Sequence, residues 1–251
     1  MKILLTNDDG IHAPGLWALR DAVAPLGEVF AVAPDRPRSA MGHAITLHKP
    51  LRITKVTLAN GSWGWCTNGT PSDCVVLAIA DLVGKCDLVI SGINVGANLG
   101  EDLTYSGTVS AAMEGVLFGV PSFAISIAAD EVDDFGPAAR FAPRLAKEIL
   151  SRGLPPNTFL NVNVPPGEHR GVAITRQGRR RYSARLDKRF DPRGEAYYWL
   201  TGSLDDQSQE QDSDVEAVAR GMISITPIHL DLTDHSFVET LRTWGLDPAA
   251  E

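Results

Sequence analysis

Oxygen-bearing side chains gather in a few short stretches of this chain. Asn7-Asp8-Asp9-Gly10 sets two adjacent carboxylates before a glycine, and Pro34-Asp35-Arg36-Pro37-Arg38-Ser39 ends in a hydroxyl. Ser91-Gly92-Ile93-Asn94-Val95-Gly96-Ala97-Asn98 places two asparagines among glycines. Together they offer carboxylate, hydroxyl and amide oxygens without a cluster of imidazoles or thiolates. Hard donors of this kind suit Mg²⁺, Mn²⁺ or Ca²⁺ rather than Zn²⁺. Each piece alone has a plainer reading. Asp-Asp-Gly after a strand is commonly a turn, Ser39 a loop hydroxyl, and Asn94 a left-handed turn residue beside glycines. The case for a site rests on all three meeting at one rim.

A further stretch, Ser106-Gly107-Thr108, stands directly before a helical stripe of Val109, Ala112, Met113, Val116 and Leu117, the most amphipathic pattern in the chain. Unpaired amide hydrogens at a helix start, a hydroxyl pair and a glycine make a natural phosphate cradle. Simple N-capping by Ser106 or Thr108 is the alternative. Gly92, Gly96 and Gly100 recur every four residues and match neither the dinucleotide fingerprint nor the P-loop, so those enzyme classes are disfavoured. No GxSxG elbow is present for a hydrolase triad. His12 and His43 fall in rim loops, whereas His48, His169, His229 and His235 show no pairing pattern; generic loop or capping roles suit all of them.

The elements that must position these residues alternate between strand and helix. Strands are predicted at Lys2–Thr6, Val29–Ala33, Asp87–Ser91, Ser122–Ile127, Phe159–Val164 and Met222–Ile228, as compact apolar runs. Helices are predicted from Leu16 to Leu26, from Thr70-Pro71-Ser72-Asp73 to Val83, along the Val109 stripe, and from Pro137 to Leu150. A last short helix carries Phe237, Leu241 and Trp244. This rhythm predicts an α/β fold: a Rossmann-like, open, mostly parallel sheet with helices on both faces. In such sheets ligands bind at the carboxyl ends of the strands, which is where the oxygen-rich stretches fall.

Two segments break the rhythm. Ile45 to Thr67 reads as extended strands joined at Asn60-Gly61, a hairpin signal. Arg176 to Asp214 begins with Arg176, Arg179, Arg180, Arg181, Arg185, Lys188, Arg189 and Arg193. Asp205, Asp206, Glu210, Asp212 and Asp214 then follow. Opposed charge runs are either two solvated faces or an arm that packs on another subunit. The chain is therefore expected to form one domain over 1–251, with protruding arms at about 45–67 and 176–214, and to be a homo-oligomer.

Composition agrees with a soluble globular protein: 251 residues, 44% hydrophobic and 22% charged, can bury a core without staples. The net charge of −8 disfavours nucleic-acid duplexes and anionic membranes as partners. Ile3-Leu4-Leu5 is too short for a signal peptide, and the uncharged Gly115–Ala129 stretch is broken by Pro121. Cys66, Cys74 and Cys86 form no CxxC pair, which fits a reducing cytoplasm.

Several of these stretches, read in order, resemble the SurE family of stationary-phase survival phosphatases. The resemblance is carried by Met1 to Gly10, by Ala33-Pro34-Asp35-Arg36 through Ser39, and by Gly69-Thr70-Pro71-Ser72-Asp73-Cys74. Ser91-Gly92-Ile93-Asn94 through Gly100, Tyr105 through Gly115, and Ser224-Ile225-Thr226-Pro227 complete it. It implies a metal-dependent phosphatase of nucleoside 5′- and 3′-monophosphates, with polyphosphate as a further substrate. By motif, Asp8, Asp9, Ser39 and Asn94 would hold one divalent cation per subunit, Mg²⁺ or Mn²⁺, with Asp8 and Asp9 catalytic. Asn98, Ser106, Gly107 and Thr108 would line the phosphate site. The resemblance also implies β-hairpin and C-terminal arms exchanged between subunits in a homodimer or homotetramer, and gives His43 no role. Direct attack by water is the preferred route, with Asp8 as nucleophile the competitor. A nucleotide-binding regulator without turnover and a structural assembly protein are the readings from other classes.

Overall fold

Asn7, Asp8 and Asp9 leave the end of a central strand, β1 (Lys2–Thr6), in the computed structural model, which describes residues 1–58, 60–183, 185–202, 204–205 and 210–246. The chain continues through α1 (Pro14–Val23) and a 3₁₀ turn into β2 (Glu28–Pro34). A hairpin of β3 (Ile53–Thr57) and β4 (Trp63–Thr67) follows, then α2 (Pro71–Leu77) and β5 (Leu88–Val95). Next come α3 (Gly107–Leu117), β6 (Ser122–Ile127), α4 (Gly136–Arg152), β7 (Thr158–Val164) and β8 (Val172–Ile174). The remainder comprises β9 (Arg181–Tyr182), β10 (Arg185–Phe190), β11 (Ala196–Thr201), β12 (Leu204–Asp205), α5 (Asp214–Ala219), β13 (Ile223–His229) and α6 (His235–Arg242).

Nine strands form one sheet in the order β3-β4-β2-β1-β5-β6-β7-β13-β8. From β4 to β7 every pairing is parallel, while β3 and β13 run antiparallel to β4 and β7. The chain moves one way from β1 to β2 and returns to the other side of β1 for β5. The crevice between the ends of β1 and β5 is thus the topological switch point of the sheet. Alternation along β1 feeds two cores. Ile3 and Leu5 join Leu16, Leu19 and Phe141 under α1 and α4. Leu4 joins Cys74, Val75, Val89 and Ala111 under α2 and α3.

Local chemistry explains the helix starts nearest the crevice. Thr70 caps α2 by accepting the Asp73 amide, and the Asp73 carboxylate accepts the Thr70 amide in return, a reciprocal box that stops the helix from fraying. Ser106 caps α3 by accepting the Val109 amide at 3.1 Å.

The structure corrects three sequence-level expectations. β5 continues past Ser91 to Val95, so Asn94 sits in the strand rather than in a loop. The pairing with β6 shifts between Gly92 and Asn94, and such irregularities re-aim side chains at strand ends. α3 is not an amphipathic surface helix: it is buried on most sides, Ser110 and Glu114 included. The predicted 45–67 arm is also not an arm. Its strands complete the sheet edge, with Cys66 opposite Ala33 and Trp65 stacked near Phe30, because β2 would otherwise leave an open parallel edge.

Within the second break, among the described residues, β10 and β11 pair only with each other and are exposed along almost their whole length, and β9 pairs with β12. Asp206 of the acidic run lies outside the described residues. At the root, Arg176 meets Glu210 at 2.8 Å, a pairing between the basic and acidic runs, and Arg180 meets Asp102, outside both runs, at 2.7 Å. Among the described residues, no helix is long and apolar enough to cross a membrane.

Candidate active site

The turn after β1 is closed by its own first residue. The Asn7 side chain donates to the Gly10 carbonyl and accepts the Gly10 amide, both at 3.1 Å. The loop after β2 is stitched to this turn: the Arg38 amide donates to the Asp8 carbonyl at 2.7 Å, and the Ile11 amide to the Pro34 carbonyl at 2.8 Å. Gly10 has φ +97, and a side chain there would press on Pro34 and Arg36 backbone, so glycine lets the two loops touch.

These loops, the end of β5 and the segment before α3 enclose a cavity of about 240 Å³. Asp8, Asp9, Ser39, Asn94, Asn98 and Ser106 line it together with Asp102 and Tyr105. The rim convergence expected from the sequence is therefore present for those six candidates. Gly107 and Thr108 are placed differently. Thr108 is fully buried, and its hydroxyl donates to Oδ1 of Asp8. A Cβ on Gly107 would lie 2.8 Å from Asp8 Cβ. Both residues stand behind Asp8 and hold it, rather than forming the wall that a ligand would meet.

Asp8 is only 6% exposed. Burial pushes its carboxyl up to about 6; the Thr108 hydrogen bond opposes the rise and repulsion from Asp9 adds to it. Burial also raises Asp9, against a hydrogen bond from the Val95 amide. Asn94 donates through Nδ2 to the Gly96 carbonyl at 2.8 Å, which leaves its Oδ1 as an acceptor. A buried and a half-buried carboxylate side by side, a carbonyl-type oxygen and a rim hydroxyl on Ser39 fit a hard divalent cation. Among the described residues, no group of three or more His, Cys, Asp or Glu could hold a metal, so a cation here must also draw on the neutral oxygens.

Asn98 is fixed by residues that the motif reading did not single out. Its amide donates to Asn163 Oδ1 at 2.8 Å, and its carbonyl accepts from Asn161 and Asn163 at 2.8 and 2.9 Å. Its Nδ2 donates to Ser126 Oγ at 2.8 Å. Asn161 and Asn163 are fully buried in β7. The signal was available, since two amides alternating in an apolar strand need buried partners. Asp102 and Arg180 were also missed as a pair, because nothing local links positions so far apart.

The placement of Thr108 gives a specific expectation. Thr108→Val keeps the shape but removes the hydrogen bond to Asp8. Outer partners that orient ligands typically contribute 10–100-fold to affinity or activity. The variant should need about tenfold more Mn²⁺ for half-maximal activity, with inhibition by inorganic phosphate unchanged. Weakened phosphate inhibition at an unchanged Mn²⁺ requirement would instead put Thr108 in the phosphate cradle.

An open, mostly parallel sheet with an acidic, oxygen-lined crevice at its switch point defines a Rossmann-like α/β protein with a candidate cation and phosphate site. The Survival protein SurE family model matches residues 3–184, and the chain belongs to the SurE family. It is 53% identical over 249 residues to the 5′-nucleotidase SurE of Moorella thermoacetica, covering 97% of this chain and 96% of that protein. Against the 5′-nucleotidase SurE of Heliobacterium modesticaldum it is 50% identical over 259 residues, covering 100% and 95%. The crystal structure of SurE from Aquifex aeolicus matches with a TM-score of 0.84 and 42% identity, over 96% of this chain and 98% of that one.

Proposed function

We propose that this chain is a divalent-cation-dependent nucleotidase that hydrolyses nucleoside 5′-monophosphates to nucleoside and phosphate, with 3′-monophosphates and polyphosphate as further substrates. The observation that carries this is the Asp8-Asp9 pair at the switch point, Asp8 buried and Asp9 half-buried, lining one small cavity with Ser39, Asn94, Asn98 and Ser106. The relatives named 5′-nucleotidase support the choice of substrate.

A bound Mg²⁺ or Mn²⁺ would supply Lewis acidity toward a phosphoryl oxygen and lower the pKa of a water molecule. Asp8 and Asp9 would balance its charge. Ser39 and Asn94 would add neutral oxygens that do not repel a phosphate. The second Nδ2 hydrogen of Asn98 and the Ser106 hydroxyl are available to donate to phosphate oxygens. The Thr108 hydroxyl on Asp8 withdraws electron density from that carboxylate, which favours attack by water over attack by Asp8. A nucleotide-binding regulator would bind in the same crevice without turnover. Comparing phosphate release from 5′-AMP, 3′-AMP and polyphosphate tests the substrate reading: 5′-AMP is expected to be cleaved, and a chain that binds AMP but releases no phosphate is a regulator. Three free cysteines suit a cytoplasmic setting.

The arm supports assembly into a homodimer or homotetramer. A two-stranded hairpin with no sheet beneath it is marginal in water. This one leaves Leu186 68% and Leu200 80% exposed as directly opposed residues. Light scattering at micromolar concentration should show a particle of at least twice 27.0 kDa. Removing residues 185–201 should reduce its mass, and a wild-type monomer would contradict the assembly.

A further inference from the structure

Ser39 lies on a stretch without helix or strand, so its position depends on what pins the chain on either side. On the near side the Asp35 amide donates to the Thr67 carbonyl at 2.8 Å, and the Arg38 amide to the Asp8 carbonyl at 2.7 Å. Arg38 Nη2 donates to the Asn68 carbonyl at 2.9 Å. On the far side the Gly42 amide donates to the Tyr105 carbonyl at 2.9 Å, and His43 Nε2 meets Glu114 Oε2 at 2.6 Å. Between these anchors run Ser39, Ala40 and Met41, all exposed, with Ala40 at φ 57.

The far anchor is unusual in its chemistry. The Glu114 side chain is only 10% exposed and the His43 side chain 29%. Glu114 lies on α3, the helix whose other end carries Thr108 against Asp8. Neither His43 nor Glu114 lines the 240 Å³ cavity, and His43 faces a separate, mostly apolar one of about 310 Å³. A carboxylate buried to this degree is costly unless it is paired. Its placement therefore selects a loop conformation that brings His43 in, and with it the chain on which Ser39 hangs.

We propose that His43 and Glu114 are a positioning pair that holds Ser39 against the cation site, so that one helix sets two of the ligands: Asp8 through Thr108, and Ser39 through Glu114. This rests on the reading of Ser39 as a cation ligand. Without the pair, Ser39 still reaches the cation, but the loop must be ordered when the cation binds. The loss then falls on cation affinity and not on turnover at saturation.

The test uses full-length metal-free protein and follows Mn²⁺ binding by electron paramagnetic resonance, alongside kcat at saturating Mn²⁺. His43→Ala is expected to weaken Mn²⁺ binding about tenfold, with kcat at saturation near the wild-type value and the melting curve still cooperative. In a Ser39→Ala background the same substitution should change Mn²⁺ binding little, because its effect passes through Ser39. Glu114→Ala should mirror His43→Ala; if it does not fold, the exposed-loop variant carries the comparison alone. Wild-type Mn²⁺ affinity in His43→Ala, or an equal loss with and without Ser39, overturns the pairing role while leaving the cation site intact. Failure of the wild-type protein to bind Mn²⁺ at all overturns the cation site itself and this inference with it.

Discussion

Asp8→Asn should lose at least about a hundredfold in turnover while making the metal-free protein more stable at neutral pH. The loss follows from removing one of two charges that would balance a divalent cation, at a position where Oδ1 is already committed to Thr108. The gain follows from burial. The carboxyl of Asp8 titrates near 6 in the folded chain against an ordinary 3.8, so the fold disfavours its charged form. Above pH 6 this opposes folding by roughly 2–3 kcal/mol, and the penalty disappears as the pH falls through 6 toward 3.8. An asparagine carries no charge and no such penalty. Melting curves of the metal-free proteins should therefore separate at pH 7–8, with the variant higher, and converge near pH 4. A variant that melts below the wild type at pH 8 would show that the buried charge is compensated within the protein, which would weaken the case for a cation.

Gly107→Ala is expected to reverse the usual effect of that substitution in a helix. On an open helix surface, alanine is favoured by about 1 kcal/mol over glycine. Here the new methyl would sit 2.8 Å from Asp8 Cβ and 3.1 Å from Pro71 Cγ. Neither neighbour is the end of a flexible chain, so Asp8 or the start of α3 must move. Overpacking of this kind costs about 1–3 kcal/mol, and a displacement near 1 Å at a reacting group costs about a hundredfold in rate. Thermal melts and kcat measured on one preparation decide it. Unchanged turnover with raised stability would mean that the contact between α3 and Asp8 is not needed for activity.

Much of the fold was legible because apolar runs and punctuation agreed. Lys2–Thr6 and Ser122–Ile127 match their strands, and Thr70-Pro71 announced a helix that Thr70 does cap. Where local signals competed, tertiary contacts decided. Gly92 suggested that the strand ends at Ser91, yet pairing with β6 carries it to Val95. The Asn60-Gly61 hairpin was correct as a hairpin, but only the open edge of β2 says that it belongs to the sheet. The site shows the same division. Asp8, Asp9, Ser39, Asn94, Asn98 and Ser106 were readable as oxygen donors after strands or before a helix. That Thr108 turns inward to Asp8, and that Glu114 reaches His43, depends on which side of α3 packs on the sheet. Local residue types do not encode that.

Release of inorganic phosphate from 5′-AMP, measured before and after adding Mn²⁺ to protein dialysed exhaustively against EDTA, tests the central claim most directly. The dialysed protein should release none above background, and millimolar Mn²⁺ or Mg²⁺ should restore turnover in the wild type but not in Asp8→Asn. Full activity in the dialysed protein, or equal restored activity in Asp8→Asn, would contradict a cation-dependent site built on that carboxylate.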